Sequence, residues 1–83
     1  MKTPNIIARN VVNNRYVVST VLLLGAAHLY DLMGRDEFET MVFPCDEQGN
    51  VTNWRELDCR RYHSVEAARD GHNDVVLDWI NKD

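Results

Sequence analysis

Four carboxylates recur at every fourth position near the C-terminal end of this chain: Glu66, Asp70, Asp74 and Asp78. On a helix that spacing sets them one above the other along one side. Like charges at i, i+4 oppose a helix by about 0.2–0.5 kcal/mol per pair. Three such pairs cost on the order of 1 kcal/mol, and only Arg69 and Lys82 stand near enough along the chain to offset it. Such a ladder can imitate a nucleic-acid backbone and dock on a basic groove of a partner. It can equally be a solvated face that keeps a small acidic protein in solution, which is the commoner case.

A second group is Arg60-Arg61-Tyr62-His63, preceded by Trp54-Arg55. A guanidinium fork beside aromatic rings holds phosphate and stacks bases, so Trp54, Arg60, Arg61 and Tyr62 form a candidate anion or nucleotide set. On a strand, Arg60 and Tyr62 point one way and Arg61 and His63 the other. The competing reading is an edge strand guarded by charge.

Cys45, Cys59, His63 and His72 follow a C-x13-C-x3-H-x8-H pattern. Zinc sites pair their cysteines two to four residues apart, so no metal is expected, and His72 falls on an apolar helical stripe. Two cysteines are too few for a disulfide-stapled scaffold. Free thiols in a reducing cytosol are the simpler reading, and a single Cys45–Cys59 bridge stays open. His28 with Asp31, or His72 with Asp70 or Asp74, form acid–base pairs on spacing alone. There is no Gly-rich phosphate loop, Gly-x-Ser-x-Gly, HExxH or CxxC, so neither catalysis nor a cofactor is expected.

The elements that position these residues read as follows. Residues 1–14 form an N-terminal arm, a weak helix or irregular stretch carrying Ile6, Ile7, Val11 and Val12, with Asn13-Asn14 as a break. Arg15 to Leu24 is the strongest strand, rich in β-branched residues that resist helix. Gly25 ends it, and residues 26–36 connect, with a helical turn or two over Ala26 to Met33 as the alternative. Glu37 to Phe43 is a second strand, stopped by Pro44. Asp46 to Asn50 is a turn, Val51 to Trp54 a short fragment, and Leu57 to His63 a polar third strand at an edge. Ser64 caps a helix over 64–81, with Glu66 in its first turn. Val65, Ala68, His72, Val75, Val76, Trp79 and Ile80 make its apolar stripe. Gly71, which costs about 1 kcal/mol mid-helix, marks close packing on the sheet.

The fold class is therefore α+β: a small antiparallel sheet of about three strands, residues 15–63, packed against one C-terminal helix in a single domain. The first strand sets Tyr16, Val18, Thr20, Leu22 and Leu24 on one face and Val17, Val21 and Leu23 on the other. The second sets Phe38, Thr40 and Val42 against Glu39, Met41 and Phe43. Both faces are apolar and one helix covers one of them. Val17, Val21, Leu23, Met41 and Phe43 are thus expected to form a homodimer interface, unless the N-terminal arm covers them.

Composition bounds the rest. Eighty-three residues, 45% hydrophobic and 27% charged, make one folded domain rather than a disordered tail. The net charge of −4 argues against non-specific nucleic-acid binding. Residues 1–35 hold four cations and one anion, whereas residues 36–83 hold twelve acidic and five basic residues. The run from Tyr16 to Tyr30 lacks charge, but its 15 residues fall short of the roughly 20 a membrane helix needs. The N-terminus lacks a signal-peptide pattern.

The segments Val18-Ser19-Thr20-Val21, Phe38-Glu39-Thr40-Met41-Val42-Phe43, Arg61-Tyr62-His63-Ser64 and Glu66-Ala67-Ala68-Arg69-Asp70-Gly71-His72 follow one another in a specific order. In this the chain, over residues 15 to 79, resembles small accessory proteins encoded by tailed phages and prophages. It departs from them at Leu24-Gly25-Ala26-Ala27-His28, where the family has a Leu-Gly-Leu-Asp-His-like stretch. The resemblance implies a phage-encoded protein acting in the cytoplasm of a bacterial host. By analogy, it would inhibit a host defence complex, in the manner of an anti-CRISPR, through the acidic row. The alternatives are an oligomeric sponge for a cyclic nucleotide signal, with Trp54, Arg60, Arg61 and Tyr62 at subunit junctions, and a structural accessory protein without a ligand.

Overall fold

The computed structural model describes residues 5–23 and 37–82. Four strands, β1 (Asn5–Val12), β2 (Tyr16–Leu22), β3 (Phe38–Pro44) and β4 (Asp58–Tyr62), precede one helix, α1 (Val65–Ile80). They form an antiparallel sheet in the order β1-β2-β3-β4.

The first strand is a correction: residues 5–12 are not an arm or a weak helix but an edge of the sheet. Asn13 and Asn14 are no mere break. Both hold left-handed backbones, φ 54° and 55°, and Arg15 N–H bonds Val12 C=O at 3.0 Å. Two consecutive left-handed residues are the arrangement of a type I′ turn, whose twist matches that of a hairpin. Asparagine tolerates that conformation better than most residues. Residues 5–12 therefore extend the sheet sideways as an edge strand rather than lying across a face.

β2 and β3 pair in straight register, Val17 with Phe43, Ser19 with Met41 and Val21 with Glu39. The alternation read from the sequence holds. Val18, Thr20, Thr40 and Val42 face α1, where Val12, Val18, Val42, Val75 and Trp79 form the core, flanked by Tyr16 and Val76. Ser64 Oγ accepts Ala67 N–H at 3.1 Å and opens the helix. A Cβ on Gly71 would run into the Tyr62 ring, so glycine is what lets the helix lie against β4.

The other face also has a core, Val17, Phe43 and Cys45 with Met41 and Val51 packed on them. Val17, Val21 and Phe43 are 1%, 7% and 6% exposed within a single chain. Leu23 and Met41 are half-buried. The bare second face expected of a lone chain is thus not found, and the reason for a face-to-face dimer goes with it. Among the described residues, segment 45–57 supplies part of the cover. Cys45 and Val51 bridge around a turn in which Asp46 Oδ1 accepts the Gln48 and Asn50 amides. Those amides hold the Asp46 carboxyl below its usual range, Asn50 foremost. The Trp54 ring meets Phe43 edge-on at 5.3 Å.

Candidate functional site: the outer flank of α1 and the two faces beneath it

Glu66, Asp70, Asp74 and Asp78 are all exposed on α1. They do not form a straight ladder. At 3.6 residues per turn, each four-residue step advances the row by about 40°. From Glu66 to Asp78 it winds through about 120°. Glu66 and Asp70 look away from the sheet, while Asp78 comes round to β4. There Arg60 Nη2 reaches Asp78 Oδ2 at 2.9 Å and Asp58 Oδ2 at 3.3 Å. Trp79 Nε1 donates to the same Asp58 oxygen at 3.2 Å. Asp78 thus belongs to a clamp tying the end of α1 to β4. The cation that offsets the row comes from the sheet, which spacing along the helix does not reveal. Among the described residues, Glu66, Asp70 and Asp74 have no ion pair or hydrogen bond through their carboxylates. Leu77 surfaces on the same flank, well exposed.

The anion set does not come together. Arg60 and Tyr62 lie beneath the helix, with Tyr62 against Gly71, whereas Arg61 lies on the opposite face and Trp54 on the loop below it. Each arginine already faces two carboxylates. Arg61 Nε donates to Glu39 Oε2 at 2.9 Å, and its Nη1 stands 3.8 Å from Glu37 Oε1. These partners raise both guanidinium pKa values, the Asp78 bond foremost for Arg60 and the Glu39 bond for Arg61. A bound phosphate would have to displace carboxylates from both.

The Arg61 group is the cluster that sequence reasoning missed. Glu37 and Glu39 are 3% and 7% exposed. Glu39 Oε2 also accepts the Cys59 thiol at 3.3 Å, and His63 Nδ1 lies 3.3 Å from Glu37 Oε2. The signal was present: Glu37 and Glu39 alternate onto the face of Met41 and Phe43, and the register sets Glu39 opposite Arg61. Burial, then the Glu39 bond, raises the Cys59 pKa. Burial, then Asp46, raises that of Cys45. Neither thiol is tuned toward thiolate. Both are free, Cys45 buried and Cys59 exposed.

His72 is on the other side of the sheet from Cys45, Cys59 and His63, so the zinc pattern is split. Among the described residues no group of His, Cys, Asp and Glu is placed to hold a metal. The His72 ring is buried under the helix. Its Nε2 bonds Asn10 Oδ1 and its Nδ1 bonds Thr20 Oγ1, each at 2.7 Å. Thr20 in turn bonds Thr40. A carboxamide oxygen only accepts, so the ring proton is on Nε2, and Nδ1 accepts the Thr20 hydroxyl proton. Thr20 then accepts from Thr40. Both ring nitrogens are occupied, so neither Asp70 nor Asp74 forms an acid–base pair with His72. The His28–Asp31 pair lies outside the described residues.

No described helix is long and apolar enough to cross a membrane. Comparison of the chain with protein-family models, curated proteins and solved structures finds no match.

Proposed function

We propose that this chain is a non-enzymatic protein-binding domain that docks on a basic surface of a partner through the outer flank of α1. The supporting observation is the contrast among its helical acids. Asp78 is neutralised by Arg60, while Glu66, Asp70 and Asp74 stand unpaired beside an exposed Leu77. Unpaired charge steers association and sets register with a partner of opposite sign, and a central apolar side chain adds affinity by burial. Taken with the phage-protein resemblance, the reading is of an inhibitor of a bacterial host's defence complex, acting in the host cytoplasm. A nucleotide sponge is not favoured, because Arg60 and Arg61 face opposite ways and both are held by carboxylates.

The test is a triple charge reversal, Glu66→Lys, Asp70→Lys and Asp74→Lys, with Asp78 kept. All three positions are exposed, so helical circular dichroism should stay native. Capture from bacterial lysate with the native chain should yield a basic protein partner that the variant fails to retain. Equal retention by a folded variant would rule the acidic flank out.

A further inference from the structure

The two edges of the sheet are built differently. β4 presents Asp58, Arg60 and Arg61 over five residues, and charged side chains are a common guard against edge pairing. β1 runs for eight residues with one charged side chain, Arg9, and that is drawn onto the sheet's underside, where Nη2 donates to Gly49 C=O at 2.7 Å. Ile6 and Val11 remain 64% and 42% exposed. A register shift between Ile6 and Ala8 leaves Ala8 to Val12 as the regular part of the edge.

The direction of its backbone groups follows from the ladder. Cys45 N–H bonds Arg15 C=O, so Arg15 and the alternate residues Val17, Ser19 and Val21 turn toward β3. Tyr16, Val18 and Thr20 turn toward β1, where their partners are Val12, Asn10 and Ala8. The N–H and C=O of Arg9 and Val11 therefore point away from the sheet. Among the described residues they have no hydrogen-bond partner.

We propose that β1 pairs with β1 of a second copy, antiparallel about a two-fold axis at Asn10, doubling the four-stranded sheet. In that register Arg9 of one copy exchanges both backbone hydrogen bonds with Val11 of the other, and the pair repeats across the axis. Arg9 faces a valine rather than its own symmetry mate, so no like charges stand directly opposite. The contacts of α1 fix where the anionic charge lies. His72 reaches β1 through Asn10, while Asp78 reaches β4 through Arg60. The acidic flank thus winds toward the far edge of each copy, where it least opposes association. A second β1 is also already extended, so it loses less conformational freedom on pairing than a disordered peptide. The interface does not use the acidic flank and stands apart from the partner-binding reading.

Sedimentation equilibrium with hydrogen exchange tests it. The native chain should show a concentration-dependent dimer of the 9.6 kDa chain, with the Arg9 and Val11 amides gaining protection as it forms. Val11→Lys sets like charges opposite each other twice and should weaken the dimer about tenfold. Arg9→Glu combined with Val11→Lys makes both pairs attractive and should restore it. A monomer at every concentration, or a dimer whose Arg9 and Val11 amides exchange as fast as in the monomer, overturns the proposal. So does a folded Val11→Lys chain that dimerises as the native one does.

Discussion

On the helix face of the sheet, His72, Thr20 and Thr40 are buried beneath α1 in a chain of neutral hydrogen bonds that ends on the exposed Asn10. On the other face, Glu37 and Glu39 are buried, and their counter-charge comes from Arg61, whose side chain is mostly in water. The first cluster satisfies Thr20, Thr40 and His72 Nδ1 with buried partners, and only His72 Nε2 with a group that reaches water. The second keeps its charge by leaving one end of the pair hydrated. Removing a member should therefore cost unlike amounts. In the dry cluster an orphaned threonine hydroxyl has nowhere to turn. In the half-wet one, water can take the place of the lost cation.

The largest effect is expected at His72→Leu. It leaves one Thr20 hydroxyl bond without a partner under the helix, while the exposed Asn10 amide can turn to water. An unsatisfied buried group costs about 1–3 kcal/mol, so a loss of about 2 kcal/mol is expected in chemical denaturation with an unchanged slope. Combining it with Thr20→Val and Thr40→Val removes the stranded hydroxyls and should recover part of that loss. A triple variant no more stable than the single one would break the account of the dry cluster.

How much of this was legible varies with the range over which each signal acts. β2, β3, β4 and the Ser64-capped helix follow from local patterns: alternation, a stop at Pro44, an apolar stripe. So does the close approach at Gly71, because a glycine inside an amphipathic helix has few other uses. β1 escapes a local reading because its apolar residues are interrupted by Ala8, Arg9 and Asn10, and because Asn13-Asn14 by itself reads as the end of an element. Two asparagines in left-handed backbone in fact join two elements. The Arg60–Asp78 clamp was missed because its partners are 18 residues apart and meet only once the helix phase is known. The buried glutamates were missed because a carboxylate on an apolar face reads as a break in pattern until the strand opposite it supplies an arginine.

A smaller effect is expected at Arg61→Ala. It leaves Glu39 with the Cys59 thiol and Glu37 with His63, and it opens a path for water to both carboxylates. The loss should fall below that of His72→Leu. It should shrink further in high salt, since screening weakens the exposed half of the native pair. Denaturant midpoints of the two variants at low and high salt make the comparison. A cost at Arg61 that matches His72→Leu and ignores salt would mean that the second cluster is as dry as the first.

The smallest effect is one of pH, and it separates the clusters by sign of charge alone. Burial lowers the His72 pKa below its ordinary value near 6.5. In the folded chain the ring stays neutral where the unfolded chain would take up a proton, so the unfolded state binds more protons in that window. Stability is then full above about pH 6.5 and falls as the pH drops toward the depressed folded value. Its hydrogen bonds do not forbid the proton. A charged His72 would donate from Nδ1 to Thr20, which could turn its own hydroxyl toward Thr40. What resists charging is the loss of water, with only neutral side chains bonded to the ring to replace it. The difference in stability between the native chain and His72→Leu should therefore narrow as the pH falls through this window. The difference between the native chain and Arg61→Ala should lack that His72-linked slope. A His72→Leu difference that stays flat across the window would show that the ring is not held neutral by burial.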